Sequence, residues 1–509
     1  MPGYKDWSGR PSPGVSKPPE SCFKILIYRF TRCFPDTNRM SRMNLTVLDT
    51  SEIERLHQAT LEVFQEPGVR IAHPGLLERL RRAGARVDAE IERVRFPRQM
   101  VSELLRQAPS TVRLARADGR RLLSGGSNRI YTSLVLDPWI IDYEKGPRRP
   151  TLEDVRRHTI LGDALPRVDG LMRMQYPVSD IAGKQSYLRS MEVFLSNTTK
   201  HILVYADSAE NAREWLGAGE ILCGGAGLKN VPLMTMAVAV SSPLTLHHLN
   251  GELLLMALEY NLPVIPTVCP MAGSTSPYTV AGTMLLANVE TLLPVLIAQA
   301  LQPGHPVFYM IGPSTTDLRL GHDLYYKAEK MLYKIMAVQM GRYYGLPVAG
   351  ETAGTMTWRY DPQNGAEGML YLLASVAGGQ HLFGGLGSCY NALGMSAEQM
   401  VLQTAMIEQA EYVAGGVNLE ESELGLASIR AAGPGGHFLT DELTLQHLRG
   451  GQFFQTPLFD YTGGSRPSAG AVAMAHEQVE QLVRSHSPAV SETIRRELSV
   501  YFQKLCDAA

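Results

Sequence analysis

The stretch Asn261-Leu262-Pro263-Val264 decides the fold, because its pattern returns at Gly304-His305-Pro306-Val307 and again at Gly345-Leu346-Pro347-Val348. Each stretch follows a long segment with helical periodicity and opens a short apolar run. Proline cannot continue a helix but is tolerated as the first residue of a strand, so each unit is a helix followed by a buried strand. A recurrence of about 40 residues is typical of a repeated βα arrangement.

The runs after these prolines are mostly apolar on both faces, as parallel strands covered by helices are. Similar runs occur earlier and later in the chain, each next to a segment with helical periodicity. The candidate strands are one segment within 130–141 and the runs 171–176, 202–205, 234–240, 264–269, 307–311, 348–352 and 381–383. About eight such strands favour an α/β fold, a closed (β/α)8 TIM barrel, over an open sheet. Helical arrays have a similar period but lack the strands.

The rest of the chain is expected to frame this barrel. Residues 1–39 are rich in Pro and Ser and then basic, without a signal cleavage site, and predict a disordered leader ahead of a start at Met40 or Met43; a genuine flexible tail is the alternative. Residues 40–169 predict an N-terminal helical cap and a β-like segment, and residues 170–415 the main part of the barrel. Residues 416–509 predict a C-terminal extension, with a Gly-rich turn and a final helix from Ser468 to about Cys506 that packs outside the barrel or against a second subunit.

Composition excludes several classes of protein. The 48 basic and 50 acidic residues are nearly balanced, which argues against binding to nucleic acid or to a membrane surface. We find no uninterrupted apolar run of the roughly 18 residues that a membrane span needs. The six cysteines are scattered, so neither a disulfide framework nor a metal site is expected, and a cytoplasmic location is predicted.

Several segments, in order, resemble the trimethylamine methyltransferase family of corrinoid-dependent enzymes. The matching segments are Asp142-Tyr-Glu-Lys-Gly146-Pro-Arg148-Arg149-Pro150-Thr151 with Asp154, Ser241-Ser242-Pro243-Leu244, Pro270-Met271-Ala272-Gly273-Ser274-Thr275, Gly345-Leu346-Pro347, Gln363-x-Gly365-x-Glu367 and Gly433-Pro434-Gly435-Gly436-His437-Phe438-Leu439. Their order, more than any single one, makes the resemblance specific. It implies a barrel over whose mouth a separate corrinoid protein docks, with methyl passing from a methylated amine to Co(I).

The resemblance also implies that this chain binds no cofactor tightly, because the corrinoid (cobalamin) belongs to the partner. A homo-oligomer is expected. No catalytic residue of this chain is assigned, since the enzyme's main tasks are to orient one N–CH3 bond toward cobalt and to exclude water.

One departure from the family pattern bears on the substrate. The founding trimethylamine enzymes carry pyrrolysine just before their counterpart of Gln363-x-Gly365-x-Glu367, whereas here Arg359 or Tyr360 stands at that place. The chain therefore resembles the branch without pyrrolysine, which implies a quaternary amine such as glycine betaine rather than trimethylamine. Proline betaine, carnitine and a methylated aromatic amine remain alternatives, as does a relative that binds a methylammonium group without transferring it.

A permanent cation is best held by aromatic faces, each contributing about 0.5–2 kcal/mol. The aromatic candidates near strand ends or loops are Tyr131, Tyr176, Tyr205, Trp358, Tyr360, Tyr390 and Phe438, with Trp358 the first choice. Packing in the core or at the rim is the alternative for each of them.

Three polar residues are further substrate-site candidates. Arg359 could pair with a substrate carboxylate or with a surface acid. Glu351, at the end of a strand, could complement the ammonium group or bond a neighbouring loop. His437, in the Gly-rich turn, could contact the corrinoid, shape the pocket or cap a helix.

Overall fold

The computed structural model describes residues 43–450, 453–465 and 468–508, so the expected leader at 1–39 lies outside the described residues. The helices are α1 Thr50–Gln65, α2 Pro74–Arg82, α3 Arg98–Gln107, α4 Leu152–Ala164, α5 Lys184–Ser196, α6 Ala209–Leu222, α7 His248–Glu259, α8 Val280–Leu301, α9 Glu329–Tyr343, α10 Pro362–Gly378, α11 Ala397–Ala414, α12 Glu421–Leu424, α13 Leu426–Ala432, α14 Glu442–Gly450, α15 Ala471–Ser485 and α16 Glu492–Asp507.

The strands lie mostly between these helices. They are β1 Val69–Ile71, β2 Arg86–Asp88, β3 Arg93–Arg95, β4 Val112–Ala115, β5 Arg121–Ser124, β6 Ile130–Leu136, β7 Trp139–Asp142, β8 Gly146–Arg148, β9 Gly170–Arg173, β10 His201–Val204, β11 Met234–Val240, β12 Thr245–Leu246, β13 Val264–Val268, β14 Met271–Ala272, β15 Tyr309–Met310, β16 Ser314–Asp317, β17 His322–Leu324, β18 Val348–Glu351, β19 Leu382–Leu386, β20 Ser388–Cys389 and β21 Gly394–Met395.

Eight parallel strands form a closed barrel. Their order is β13-β11-β10-β9-β6-β19-β18-β15, and a parallel bridge between Val264 and Val307 joins the two ends. Each of the eight strands coincides with one of the runs predicted from the sequence, so the (β/α)8 prediction is confirmed.

The prolines that punctuate the sequence sit where strands begin. Each lacks a backbone N–H, but its carbonyl group still accepts a hydrogen bond from the neighbouring strand. The carbonyl of Pro306 accepts from the Val264 amide at 3.0 Å, and that of Pro347 accepts from the Tyr309 amide at 2.9 Å. A proline at a strand start therefore costs the ladder little.

The N-terminal segment supplies a cap and a floor. Helix α1 begins at a capping box in which Asp49 and Glu52 satisfy each other's backbone amides. Strands β1, β2 and β3 form a small sheet with β12. The hairpin β4–β5 inserts Val112 and Leu114 into a buried cluster with inward-facing barrel residues, which closes the N-terminal end of the barrel.

Two small sheets extend the barrel strands beyond their C-terminal ends. The first lip consists of β14, β16 and β17, which continue from β13 and β15. The second lip consists of β7, β8, β20 and β21, which continue from β6 and β19. Both lips therefore stand at the end of the barrel where the βα loops converge.

The C-terminal part contains two pieces. Residues 427–457 belong to a separate compact unit, in which α14 is the longest described helix. Residues 458–508 belong with the barrel, where α15 packs on α4 and α11 and α16 packs on α5 and α6. The single final helix expected from the sequence is two helices, because Pro488 lies between them and cannot continue a helix.

Helix α8 is of membrane length, although polar residues such as Asn288 and Glu290 interrupt its apolar sequence. Its 22 residues are long and apolar enough to cross a bilayer by length and composition alone. The helix is mostly buried inside the barrel domain, where it packs against β11, β13 and β15.

Candidate active site

The barrel interior changes character from one end to the other. Toward the N-terminal end the inward-facing side chains form a sealed apolar cluster that includes Ala237, Ile265 and Ala349. Two residues further along the same strands, and so on the same face, stand Ala239, Thr267 and Glu351. All three are partly exposed although they lie in barrel strands. A cavity therefore opens toward the C-terminal mouth.

Glu351 is the charged side chain of this cavity, and two tyrosines converge on it. The phenols of Tyr325 and Tyr326 lie near enough to its carboxylate to feel its charge, and the Tyr326 hydroxyl also lies 3.5 Å from Ser388 Oγ. Burial, together with that carboxylate, raises the pKa of both phenols well above the usual value, so they stay protonated and donate. Their rings meet edge to face at a centroid distance of 5.0 Å.

Asp137 is a second acid at the mouth, directly after β6. It is almost fully buried, and its Oδ2 has no hydrogen-bond partner among the described residues. Burial and the nearby charge of Glu351 raise its pKa well above the usual range. Both effects favour the protonated form of Asp137, which could donate a hydrogen bond.

The wall opposite is formed by strands β10 and β13. The Tyr205 hydroxyl lies 3.1 Å from Thr267 Oγ1, and burial raises the pKa of that phenol. The Cys269 side chain is open to solvent, yet enough protein surrounds it to raise the pKa of its thiol to about 11. Because the Cys269 side chain is surrounded by protein and yet reaches solvent, it lies in a deep cavity that is open at one end.

Two buried lysines, one turn apart, lie on α9, which packs against β15 and β18. Lys330 Nζ donates to the carbonyl of Pro313 at 3.0 Å and lies over the Tyr325 ring. Lys334 Nζ has no hydrogen-bond partner among the described residues. Burial lowers the pKa of Lys330 well below the usual value and that of Lys334 to about 8.

Comparison with known proteins gives the context of this cavity. A family model described as trimethylamine methyltransferase matches residues 32–507. The chain belongs to the trimethylamine methyltransferase family. Like the other members of that family, it is a methyltransferase.

Two curated relatives come from Desulfitobacterium hafniense. Its trimethylamine methyltransferase MttB is 27% identical over 81% of this chain and 83% of its own length. Its glycine betaine methyltransferase is 26% identical over 87% of this chain and 93% of its own length. The crystal structure of the Methanosarcina barkeri monomethylamine methyltransferase MtmB covers 95% of this chain and 91% of its own, with 13% identity and a TM-score of 0.51. That likeness supports the barrel fold.

Of the site residues predicted for this family member, the structure brings three together at the mouth. Tyr205 and Glu351 line the cavity, and Glu351 contributes to the raised pKa of Tyr205. Tyr176 lies in the loop after β9, half-buried, and burial and the nearby Asp137 raise the pKa of its phenol.

Two other predicted residues, Tyr131 and Arg359, point away from the cavity. Tyr131 alternates with the inward-facing Ile130 and donates from its hydroxyl to Glu411 on the outer helix α11 at 2.8 Å. Arg359 has a side chain that is 64% exposed and lies 3.4 Å from Asp361. The site thus contains neither the Tyr131 ring nor the Arg359 guanidinium group.

Tyr360 and Trp358 follow β18 but contact the second lip and the helix behind it. The Tyr360 hydroxyl lies 2.5 Å from Ser396 Oγ and donates to Glu398 Oε2 at 3.1 Å. The Trp358 ring covers Gly146 in the β7–β8 turn so closely that a Cβ there would lie 3.2 Å from the indole. Trp358 is half-buried in this packing.

The last predicted residues lie at a turn and in the separate unit. Tyr390 packs edge to face on Trp139, at a centroid distance of 6.5 Å. His437 and Phe438 lie in the unit that contains residues 427–457, where both are exposed.

Sequence reasoning missed Asp137, Tyr325 and Tyr326. Asp137 had a readable signal, since it is the first acidic residue after an apolar strand and so stands at the mouth. Tyr325 and Tyr326 had no such signal in the sequence, because they follow the β16–β17 hairpin and not a barrel strand.

The structure also groups His73, His248 and Glu252, whose ligand atoms lie within 4.8 Å of one another. The imidazoles of His73 and His248 are stacked, 15° from parallel and 4.7 Å apart. Ring nitrogens offer their lone pairs in the plane of the ring, so stacked rings do not converge on one ion. His73 Nδ1 already accepts the Leu76 amide at 3.1 Å, and its Nε2 lies 2.7 Å from Glu252 Oε1. The set caps α2 and pairs it with α7.

Proposed function

We propose that the protein transfers a methyl group from a quaternary amine, such as glycine betaine, to the Co(I) centre of a corrinoid carried by a separate protein. The observation that supports this most is the cavity at the barrel mouth, which Tyr205 and Glu351 line and where Tyr325 and Tyr326 lie near the Glu351 carboxylate. Aromatic faces and one carboxylate are the groups that hold a cation with no hydrogen to donate.

The chemistry is a displacement at carbon. The Co(I) electron pair attacks the methyl carbon and forms a Co–C bond, while the C–N electrons return to nitrogen. The products are methyl-Co(III) and a neutral tertiary amine. No proton has to be supplied, which suits phenols that remain protonated.

The tasks left to this chain are orientation and exclusion of water. The apolar cluster around Ile265 and Ala349 closes the bottom of the barrel, so the substrate enters from the mouth. The two lips flank that mouth, and a protein docked over them would shield the cavity from solvent. A methyl group directed outward would meet the cobalt of a protein docked there.

The substrate preference can be tested with free reduced cobalamin in place of the corrinoid protein. The protein is incubated with Co(I)-cobalamin and glycine betaine, proline betaine, carnitine or trimethylamine, and the conversion to methyl-Co(III) is followed by absorbance. We expect conversion with a quaternary amine and none with trimethylamine. Conversion with trimethylamine alone would refute the quaternary-amine assignment, and binding without conversion would indicate a non-catalytic relative.

The role of the cavity acid needs a matched variant. Glu351→Gln keeps the size of the side chain and removes its charge, so the affinity for glycine betaine should fall about tenfold, which corresponds to a loss of about 1.4 kcal/mol. Glu103→Gln, on the surface of α3, is the control and should bind like the parent. Calorimetry measures both, and equal affinity in the Glu351 variant would remove it from the site.

We also propose that the chain self-associates in the cytoplasm. None of the residues 427–448 is buried. Even the large apolar side chains of Leu439 and Leu448 are 81% and 76% exposed, which suggests that a second copy of the chain covers them. Short helices with no buried face are marginal in water. Light scattering of the full chain should give a mass above 56.0 kDa, and Leu439→Asp with Leu448→Asp should lower it.

The described cysteines are unpaired, as suits a reducing compartment.

A further inference from the structure

The turn between β20 and β21 has an unusual backbone. Tyr390, Asn391 and Ala392 are consecutive and adopt φ angles of 52°, 56° and 61°. This left-handed region is unfavourable for residues with a Cβ, and it persists where surrounding contacts impose it. The preceding segment uses Gly385 and Gly387 wherever it needs positive φ. The turn therefore keeps its side chains at a cost in strain.

Asn391 is the residue whose contacts account for the turn. Its Oδ1 accepts the backbone N–H of Tyr325 at 2.8 Å, and its Nδ2 donates to the carbonyl of Asp323 at 2.6 Å. Its own backbone N–H donates to the carbonyl of Thr355 at 3.0 Å. One residue thus ties together the segments that follow β15, β18 and β19.

The segment held by this amide carries the cavity tyrosines. Tyr325 and Tyr326 lie near Glu351 and belong to a stretch between β17 and α9. That stretch is outside any barrel strand, so the sheet does not fix it. The Asn391 side chain bonds the backbone of Tyr325 itself.

We propose that Asn391 is a positioning residue for the cation site. Its side chain holds the segment of Tyr325 and Tyr326 close to Glu351. The inference rests on the proposed function for its consequence, a weaker grip on a quaternary ammonium group. The Asn391–Tyr325 contact should order the tyrosine segment whether or not the protein binds a quaternary amine.

The test uses Asn391→Gly in the full chain, because glycine relieves the left-handed strain and removes only the side-chain bonds. Hydrogen exchange at the Tyr325 amide should accelerate at least tenfold, and the Kd for glycine betaine should rise about tenfold. Asn261→Gly is the matched control, since Asn261 also has a left-handed φ of 52° but lies before β13 at the other end of the barrel. It should leave both measurements unchanged.

A second variant separates the bond from the fold. Asn391→Asp keeps the Oδ1 acceptor and should preserve the protection of the Tyr325 amide. Unchanged exchange at Tyr325 in the glycine variant, or its full loss in the aspartate variant, would overturn the proposal. Failure of the parent protein to bind any quaternary amine would count against the proposed function instead, while the exchange data would still decide whether Asn391 orders Tyr325.

Discussion

At the scale of single residues, the cavity depends on close approaches that only particular side chains permit. Gly354 lies against the Tyr326 ring, and a Cβ at that position would overlap the ring and its hydroxyl. Gly385 stands next to Glu351, where a Cβ would lie 2.6 Å from its Cγ. The acid and its tyrosine therefore each pack against a glycine of a neighbouring loop or strand.

Gly354→Ala should disable the site while leaving the barrel folded. Its backbone lies outside the left-handed region, so alanine adds only the clash with Tyr326, which must move away from Glu351. We expect an affinity loss of at least tenfold for glycine betaine, measured by calorimetry. Gly365→Ala is the control, because a Cβ there meets nothing within 4 Å. Tight binding by the Gly354 variant would show that Tyr326 does not contact the ligand.

Lys334→Met should stabilise the protein at neutral pH. Burial lowers the Lys334 pKa from 10.5 to about 8, so between these values the unfolded chain binds more protons and stability rises with pH. The cost of burying the charged Lys334 ammonium group is complete below about pH 8. It is gone above about pH 10.5, where the amine is neutral in the folded and the unfolded chain. Replacing a buried ammonium group that has no hydrogen-bond partner among the described residues by an apolar one removes its desolvation cost, so we expect a gain of about 1–3 kcal/mol.

Urea unfolding of the Lys334 variant at pH 7 and pH 10 measures that gain. It should be largest at pH 7 and shrink at pH 10. Lys504→Met, at an exposed position on α16, should show little change at either pH. A destabilised Lys334 variant would mean that its ammonium group makes a favourable contact.

At the scale of elements, helix α15 is held to the barrel through histidine–carboxylate pairs. His476 Nδ1 lies 2.8 Å from Glu398 Oε1 on α11, and the Tyr143 ring stacks on the imidazole at 3.9 Å. His486, just after the helix, lies 2.8 Å from Asp163 Oδ2 on α4. Because Glu398 also accepts the Tyr360 hydroxyl, this helix supports the loop that carries Trp358.

His476→Ala should destabilise the protein in a pH-dependent way. The hydrogen bond to Glu398 raises the pKa of His476, so the charged pair stabilises fully below pH 6.5 and is lost as the pH rises through the folded pKa. For a partly exposed pair we expect a cost of about 0.5–1 kcal/mol at pH 6 and less at pH 9. Thermal unfolding at the two pH values, with exposed His322→Ala as control, measures it. A cost that is equal at both would contradict the assignment.

At the scale of the whole molecule, the residues that stabilise the barrel and the residues of the cavity lie at opposite ends of its strands. Its N-terminal end is filled by the β4–β5 hairpin and the apolar cluster, and its C-terminal end is open. Leu114 is fully buried in that cluster, whereas Leu123 on the same hairpin is exposed. The cavity acid Glu351 lies at the other end of the strands.

Leu114→Ala should therefore lower stability without changing the ligand affinity. Truncation of a fully buried leucine costs about 2–5 kcal/mol, because a cavity remains. Leu123→Ala should cost far less. Denaturant unfolding gives the first quantity and calorimetry with glycine betaine the second. A large affinity loss in folded Leu114→Ala protein would show that the two ends of the barrel are coupled.

The barrel could be predicted from local pattern, whereas the cavity could be predicted only in part. Proline before three of the apolar runs marked where those strands begin, since it cannot continue a helix. Strand ends then located Glu351 and Tyr205 at the mouth. Trp358 and Arg359 were expected there by their place after a strand, but a loop residue can turn either way. Trp358 packs on the distant Gly146, while Arg359 is exposed beside its near neighbour Asp361.

The sequence by itself determined the alternation of helix and strand, the eight strands and the family, because these depend on periodicity and on short ordered motifs. Only the tertiary structure decided which side chains meet. Tyr325 and Tyr326 join Glu351 across the barrel wall because Asn391, more than 60 residues away in the chain, bonds the backbone of Tyr325. Contacts between distant segments arise from the packing of the whole barrel, and no local pattern encodes them.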